Sequence, residues 1–315
     1  MLLAVLLLLA QDLPPGAEAI SLLGRPLVPP AIPQPAREGH EQRLAAARAA
    51  WERTPGNPDS IIWLGRRTAY LGRYRDAIAV YTKGIELLPL EPRLYRHRGH
   101  RYLTVRQLDR AIADLDQAAQ LVRGKPDEVE PDGLPNARGI PTSTLHSNIR
   151  YHLGLAYYLK GDFEKAIPPY REDIAAAQRS GNNDMLVATS HWLYMALRRL
   201  GRDEEAAAVV APITPGLEVI ENGSYHRLLL LYKGQLPPDS LLSDAARQRL
   251  AGGAGGGATV EDVTIGYGVG NWHWYNGRQD EARRLWRQIS ETSQWAAFGA
   301  LAAEAELQRT VNGER

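Results

Sequence analysis

The sequence predicts an all-α protein, a solenoid of stacked helix pairs, and two observations carry that expectation. Gly65 and Gly99, Ala77 and Ala111, and Gly84 and Ala118 all lie 34 residues apart. Short glycine or polar turns then recur between helix-forming runs, as LGRYRDA, TVRQLDRA, KGDFEKA, LGRDEEA and NGRQDEA. A unit of that length is two short antiparallel helices that cannot bury their apolar faces alone, so units must stack. Small residues belong where two helices cross closely, and large ones fill the gaps between neighbouring pairs.

The elements follow in order. Residues 2–10 are nine apolar residues in a row, too few to span a hydrocarbon core of ~30 Å, which takes about 20. With Ala17-Glu18-Ala19 as a small-x-small site before Ile20, residues 1–19 read as an export signal, although no Lys or Arg precedes the apolar run. The expected location is periplasmic or otherwise extracytoplasmic. The chain has no cysteine, which removes lipoprotein anchoring, disulfides, zinc–thiolate sites and cysteine nucleophiles together. Residues 20–39, with Pro26, Pro29, Pro30, Pro33 and Pro35, read as extended and non-helical. Residues 40–122 hold an N-terminal cap helix, a half-unit ending at Pro55-Gly56, and two full units. Residues 123–143 are an insertion rich in Pro, Gly and acid, set where the spacing from Gly99 to Gly154 exceeds the period. Residues 144–251 hold two further units and an irregular helix pair. Residues 252–258, GGAGGGA, read as a flexible linker, and 259–310 as a last unit with a C-terminal capping helix.

The residues resemble the tetratricopeptide repeat family, whose pattern runs W-x2-L-G-x2-Y, A-x3-F and P. The first unit has Ile61, Leu64, Gly65, Thr68, Ala77, Tyr81 and Pro89; the second has Tyr95, Arg98, Gly99, Tyr102, Ala111 and Leu115. The third has Arg150, Leu153, Gly154, Tyr157, Ala166 and Tyr170. Two more, at Leu193–Val210 and Gly270–Trp286, are degraded. The likeness covers roughly residues 41–308, and it extends to uncharacterised exported bacterial proteins of this type. It implies a right-handed α-solenoid whose first helices line a concave binding face.

One residue per turn on that inward side gives the candidate groove: Arg66, Tyr70, Arg93, Arg96, His97, His100, Asn148, Tyr151, His152, Tyr158, His191, Trp192, Arg198, Asn271, Trp274 and Tyr275. Carboxylates are absent from this set. Arginine suits bidentate capture of a carboxylate or phosphate, and amphipathic rings bury ligand area at low entropic cost. The set loosely resembles the basic clamp by which some family members hold a peptide C-terminal carboxylate, without its Lys and Asn residues. From Arg93 to Arg110 there are six arginines, at 93, 96, 98, 101, 106 and 110, against Asp109 alone. The insertion that follows, with Asp127, Glu128, Glu130 and Asp132, can fold back on them as a lid or competitor.

The function expected is a non-enzymatic scaffold that binds a protein or peptide segment, acidic or with a free C-terminal carboxylate, and needs no cofactor. Net charge is +1, so bulk charge makes no case for nucleic acid. One rival is a small-molecule or metal-binding protein, or a hydrolase, using His97, His100, His152 and His191; another is a structural protein that oligomerises through the solenoid edge. Against catalysis stand the absence of a G-x-S-x-G elbow, of HEXXH and of paired carboxylates. Oligomeric state is open.

Overall fold

The computed structural model describes residues 13–131, 133–311 and 313. The apolar run at residues 2–10 and Asp132 therefore lie outside the described residues. Fourteen α-helices are described. A lone first helix, α1 (Gln34–Arg53), is followed by α2 (Pro58–Ala69), α3 (Tyr74–Leu87), α4 (Pro92–Thr104) and α5 (Leu108–Leu121). After the insertion come α6 (Leu145–Lys160), α7 (Phe163–Ser180), α8 (Asn183–Arg199), α9 (Asp203–Val210), α10 (Gly223–Tyr232) and α11 (Asp244–Ala251). The chain ends with α12 (Val260–Tyr275), α13 (Gln279–Ser290) and α14 (Phe298–Val311). Each helix from α1 to α8 packs on the next, and the first helices α2, α4, α6, α8, α10 and α12 also pack consecutively, forming one continuous layer.

The repeat spacing has a direct steric cause. In four units a glycine of the first helix meets a large side chain sixteen positions later: Gly65 with Tyr81, Gly99 with Leu115, Gly154 with Tyr170, Gly270 with Trp286. A Cβ at Gly99 would lie 2.8 Å from Leu115 Cγ, and one at Gly270 would lie 2.6 Å from Trp286 Nε1, so these crossings leave no room for a side chain. Helix starts use local polar caps. Asn57 accepts from the Asp59 amide, Thr144 from the Ser147 amide, and Thr259 forms a reciprocal capping box with Asp262. Between the helices of a pair, Gly72, Gly161, Gly201 and Gly277 take positive φ. In the second unit Arg106 occupies that place, with φ 63°, and is the one non-glycine with positive φ among the described residues.

Three expectations are corrected. The extended segment ends at Pro33, because α1 begins at Gln34 and its first turn tolerates Pro35, whose missing N–H is not needed there. Before it, Ala19–Ile20 and Pro26–Leu27 form a small antiparallel hairpin. The glycine run is not an open linker: Gly253–Gly255 make a 3-10 turn, with Gly252 and Gly256 pressed together so closely that only glycine fits. The last helix is not an end cap either. α14 lies against α12, α13 and α6, so it returns along the layer of first helices. The hairpin bridges the first unit and the C-terminal part of the chain: Glu18 accepts from the Arg75 amide (2.8 Å), Leu22 donates its amide to Glu304 (3.1 Å), and Trp295 donates to the Val28 carbonyl (2.8 Å). No described helix is long and apolar enough to cross a membrane.

Candidate functional site

α14 divides the first-helix face into a filled half and an open one. Its sequence, FGALAAEAELQRTV, is buried almost all round, including Glu304 and Glu306, both 0% exposed. Buried carboxylates persist only when paired. Glu304 receives a two-pronged pair from Arg106, Nη2 to Oε1 at 2.7 Å and Nε to Oε2 at 3.1 Å. Glu306 takes Arg309 (3.0 Å) and Arg199 on its two sides and accepts from the hydroxyls of Tyr158 (3.2 Å) and Tyr267 (3.1 Å). Phe298, at the start of α14, packs on His100 and His152 with ring centroids 5.4 and 5.5 Å apart. The face expected to lack carboxylates thus holds two, supplied by its own C-terminal helix.

Several groove candidates are accordingly interior. Tyr158 is buried under this helix, and Trp192 is buried beside it against Tyr267. Trp192 donates to the Tyr151 hydroxyl at 2.8 Å. His152 donates Nδ1–H to the Asn148 carbonyl at 2.6 Å, and burial drives its pKa down to about 3. His191 is equally buried, its pKa lowered to about 3 by desolvation, with Tyr225 and Tyr232 against its ring. Asn271 is buried and donates to the Tyr267 carbonyl. Among the described residues no group of three or more His, Asp or Glu is arranged to hold a metal. His100 and His152 do meet, centroids 4.4 Å apart, but His97 stacks on Tyr81 and His191 belongs to the α8–α10 contact.

Other candidates are engaged at the rim. Arg93 is taken up by Glu91 (2.8 Å) and Asp59 (2.7 Å), which place it at the α2–α4 edge rather than in the groove. Arg198 pairs with Asp203 at 2.8 Å and packs over Tyr275, whose hydroxyl donates to the Met195 carbonyl. Trp274 has the guanidinium groups of Arg199 and Arg283 over its ring and leans on Trp286.

The open half lies between α2 and α4. Arg66, Tyr70, Arg96, His97 and His100 surround a cavity of about 140 Å³ together with Ala69, Tyr81 and Arg101. Arg101, one turn beyond His97, is absent from the groove reading although it belongs to the arginine run; the i, i+4 offset was the available signal. The insertion covers one side of this place. Arg66 donates to the Pro131 carbonyl (2.7 Å) and Arg67 to the Gly133 carbonyl (3.2 Å). Glu130 is buried, pairs with Arg96 at 2.7 Å and accepts from Asn148. His97 contacts Arg96 through Nδ1 at 3.0 Å. Burial first, then the neighbouring guanidinium groups, hold His97 and His100 well below the usual imidazole range, so both are neutral near pH 7.

No protein-family model matches the sequence, and no curated protein matches it. Among solved structures it is similar to the TPR protein YrrB, described as having an unusual peptide-binding site, at 14% identity and TM-score 0.43, over 83% of this chain and 98% of that one. It is also similar to the TPR domain of P58(IPK), at 14% identity and TM-score 0.24, over 89% and 96%. A third likeness is to Naa15/Naa10 bound to HypK-THB, at 17% identity and TM-score 0.37, over 87% of this chain but 38% of that one. Likenesses this low say nothing about the site.

Proposed function

We propose that the chain is a non-enzymatic scaffold that holds a segment of a partner protein against the open, N-terminal half of its first-helix face. One observation carries this reading: Arg66, Arg96 and Arg101 converge on a cavity that α14 leaves free, while the same face further along already grips a helical segment through the pairs Arg106–Glu304 and Arg199–Glu306. Guanidinium forks in a partly dry setting favour an anionic group on the incoming segment. The insertion already places one carboxylate, Glu130, on Arg96.

The test uses labelled peptides differing only in Glu versus Gln and in a free versus amidated C terminus, read by fluorescence anisotropy. Acid-bearing peptides are expected to bind more tightly, and Arg66→Ala/Arg101→Ala to weaken them by about tenfold or more with helicity unchanged. The comparison belongs at low and physiological salt, since exposed charges beyond ~10 Å are screened at 0.1 M. Equal binding of acid and amide peptides, or indifference to the double variant, would refute the reading.

Export is a further part of this proposal, supported by the apolar run at residues 2–10. The hairpin bears on where processing falls. Ala19 is buried and pairs with Leu27, and Glu18 is tied to both Leu27 and Arg75, so a cut before Ile20 would divide a packed element. Processing near Gln11 leaves it whole.

A further inference from the structure

The cavity between α2 and α4 is roughly ten times the ~10–15 Å³ that one water molecule needs, with room for a compact group but not for a folded segment. Its charges do not balance among the described residues. Three guanidinium groups line or approach it, Arg66 from α2 and Arg96 and Arg101 from α4. The carboxylate that reaches them, among the described residues, is Glu130 on Arg96. Arg66 is bonded to a backbone carbonyl, and Arg101 lies 5.5 Å from the Tyr74 ring; neither has an ion pair among the described residues. His97 and His100 are neutral, so they add no charge. Among the described residues, three positive charges against one negative leave an excess of two. The buried Nε of Arg96, a residue 8% exposed, has no partner among the described residues, although donors so placed are nearly always satisfied.

We infer that this cavity is a binding site for a phosphoryl dianion, carried on the partner segment as a phosphomonoester or present as free inorganic phosphate. A phosphoryl group brings about two negative charges at neutral pH and three acceptor oxygens, against the single charge and two oxygens of a carboxylate. It therefore matches both the excess charge and the three guanidinium donors. Tyr70 and Tyr81 also line the cavity, and we take their hydroxyls as further donors. Glu130 is then a built-in rival, since it neutralises one of the three cations the ligand uses. The site rests on the segment-binding reading only for its phosphomonoester source.

The experiment is calorimetric titration of the full chain with inorganic phosphate and with one peptide in three forms, carrying Ser, phosphoserine or Glu. Phosphate and the phosphopeptide are expected to bind. Arg101→Gln should weaken both by about tenfold or more, and Glu130→Gln should tighten both several-fold. Tyr81→Phe, which keeps the ring that packs on Gly65, should weaken them more modestly with an unchanged melting curve. A phosphopeptide tighter than free phosphate assigns the group to a partner; equal affinities assign it to the free ion, and either supports the site. Heats that are absent from both parent and Glu130→Gln, or that ignore Arg101→Gln and Tyr81→Phe, overturn it. If the Glu peptide binds and neither phosphoryl ligand does, segment binding stands and the phosphoryl site falls. If phosphate binds and no peptide does, the site stands and segment binding falls.

Discussion

Arg106 and Glu304 are 198 residues apart in sequence and 2.7 Å apart in space, Arg106 almost fully buried and Glu304 completely so. Arg106 also donates to the carbonyls of Thr104 (2.6 Å) and Trp295 (2.7 Å) and lies over the Trp295 ring. It achieves this from a left-handed backbone that other units give to glycine, a conformation costing an L residue roughly 1–2 kcal/mol. The strain persists because the surrounding contacts over-determine it. The pair is the latch that seats α14 on the second unit.

Breaking that latch on one side leaves a buried charge alone. Arg106→Gln or Glu304→Gln should each cost about 3–5 kcal/mol in urea unfolding, and the double variant should cost less than their sum. Arg106→Gly relieves the backbone yet loses the pair, and the expectation is a net destabilisation. A glycine variant as stable as the parent would mean that the guanidinium contributes nothing.

The repeat crossings give a second expectation. Gly99→Leu drives a side chain into Leu115 and the Ala111 carbonyl, and overpacking of this kind costs typically 1–3 kcal/mol. Gly181, whose surroundings are open, tests the opposite case: its φ of 68° makes Gly181→Ala destabilising through backbone strain alone. Thermal melts followed by circular dichroism separate the two. A tolerated leucine at position 99 would show that the crossing can open.

Export is tested at the N terminus. Mass spectrometry of protein recovered from its native host should find a chain starting near Gln11, with the hairpin at Ala19–Leu27 intact. An unprocessed Met1 in the cytoplasmic fraction would sink export. A start at Ile20 would keep export but sink the placement, and would predict a destabilised protein, since the Glu18 bond to Arg75 is then gone.

The helix pairs were legible because their determinant is local. Gly65 and Tyr81, or Gly154 and Tyr170, sit within one unit, so a close crossing leaves its mark at fixed spacing. The position of α14 left no such mark. A helix buried all round has no amphipathic stripe to read, and Glu304 and Glu306 in an alanine-rich run look solvent-facing until Arg106 and Arg199, roughly a hundred or more residues earlier, are placed beside them. The inward rule on first helices did bring Arg66, Tyr70, Arg96, His97 and His100 to one cavity. The same rule gave Tyr158, Trp192 and Asn271, which packing then removed from any groove. Arg93 went astray because Glu91 and Asp59, adjacent in space to its helix start, claim its guanidinium.

The buried titratable groups predict opposing responses to acid. Asp173 is fully buried on α7, where the hydroxyls of Ser147 (2.6 Å) and Thr189 (2.5 Å) donate to its carboxyl. Desolvation outweighs those bonds and raises its pKa from 3.8 to about 6. A carboxyl raised on folding contributes stability that is full below about pH 4 and lost as pH rises through 6. His97, His100, His152 and His191 run the other way. All are lowered by burial from 6.5, so their contribution is present above 6.5 and lost as pH falls, at up to about 1.4 kcal/mol per pH unit for each. The four histidines, each fully desolvated and shifted far, outweigh the opposing carboxyl, and unfolding free energy should fall between pH 6.5 and 4. Asp173→Asn isolates the opposing arm, because the amide keeps an acceptor for the hydroxyls and cannot ionise. The variant should gain on the parent at pH 7.5, by an amount of the order of 1–3 kcal/mol, and lose that advantage by pH 4. Urea unfolding of parent and variant across this range decides it. A pH-independent difference would show that Asp173 does not titrate between 4 and 6.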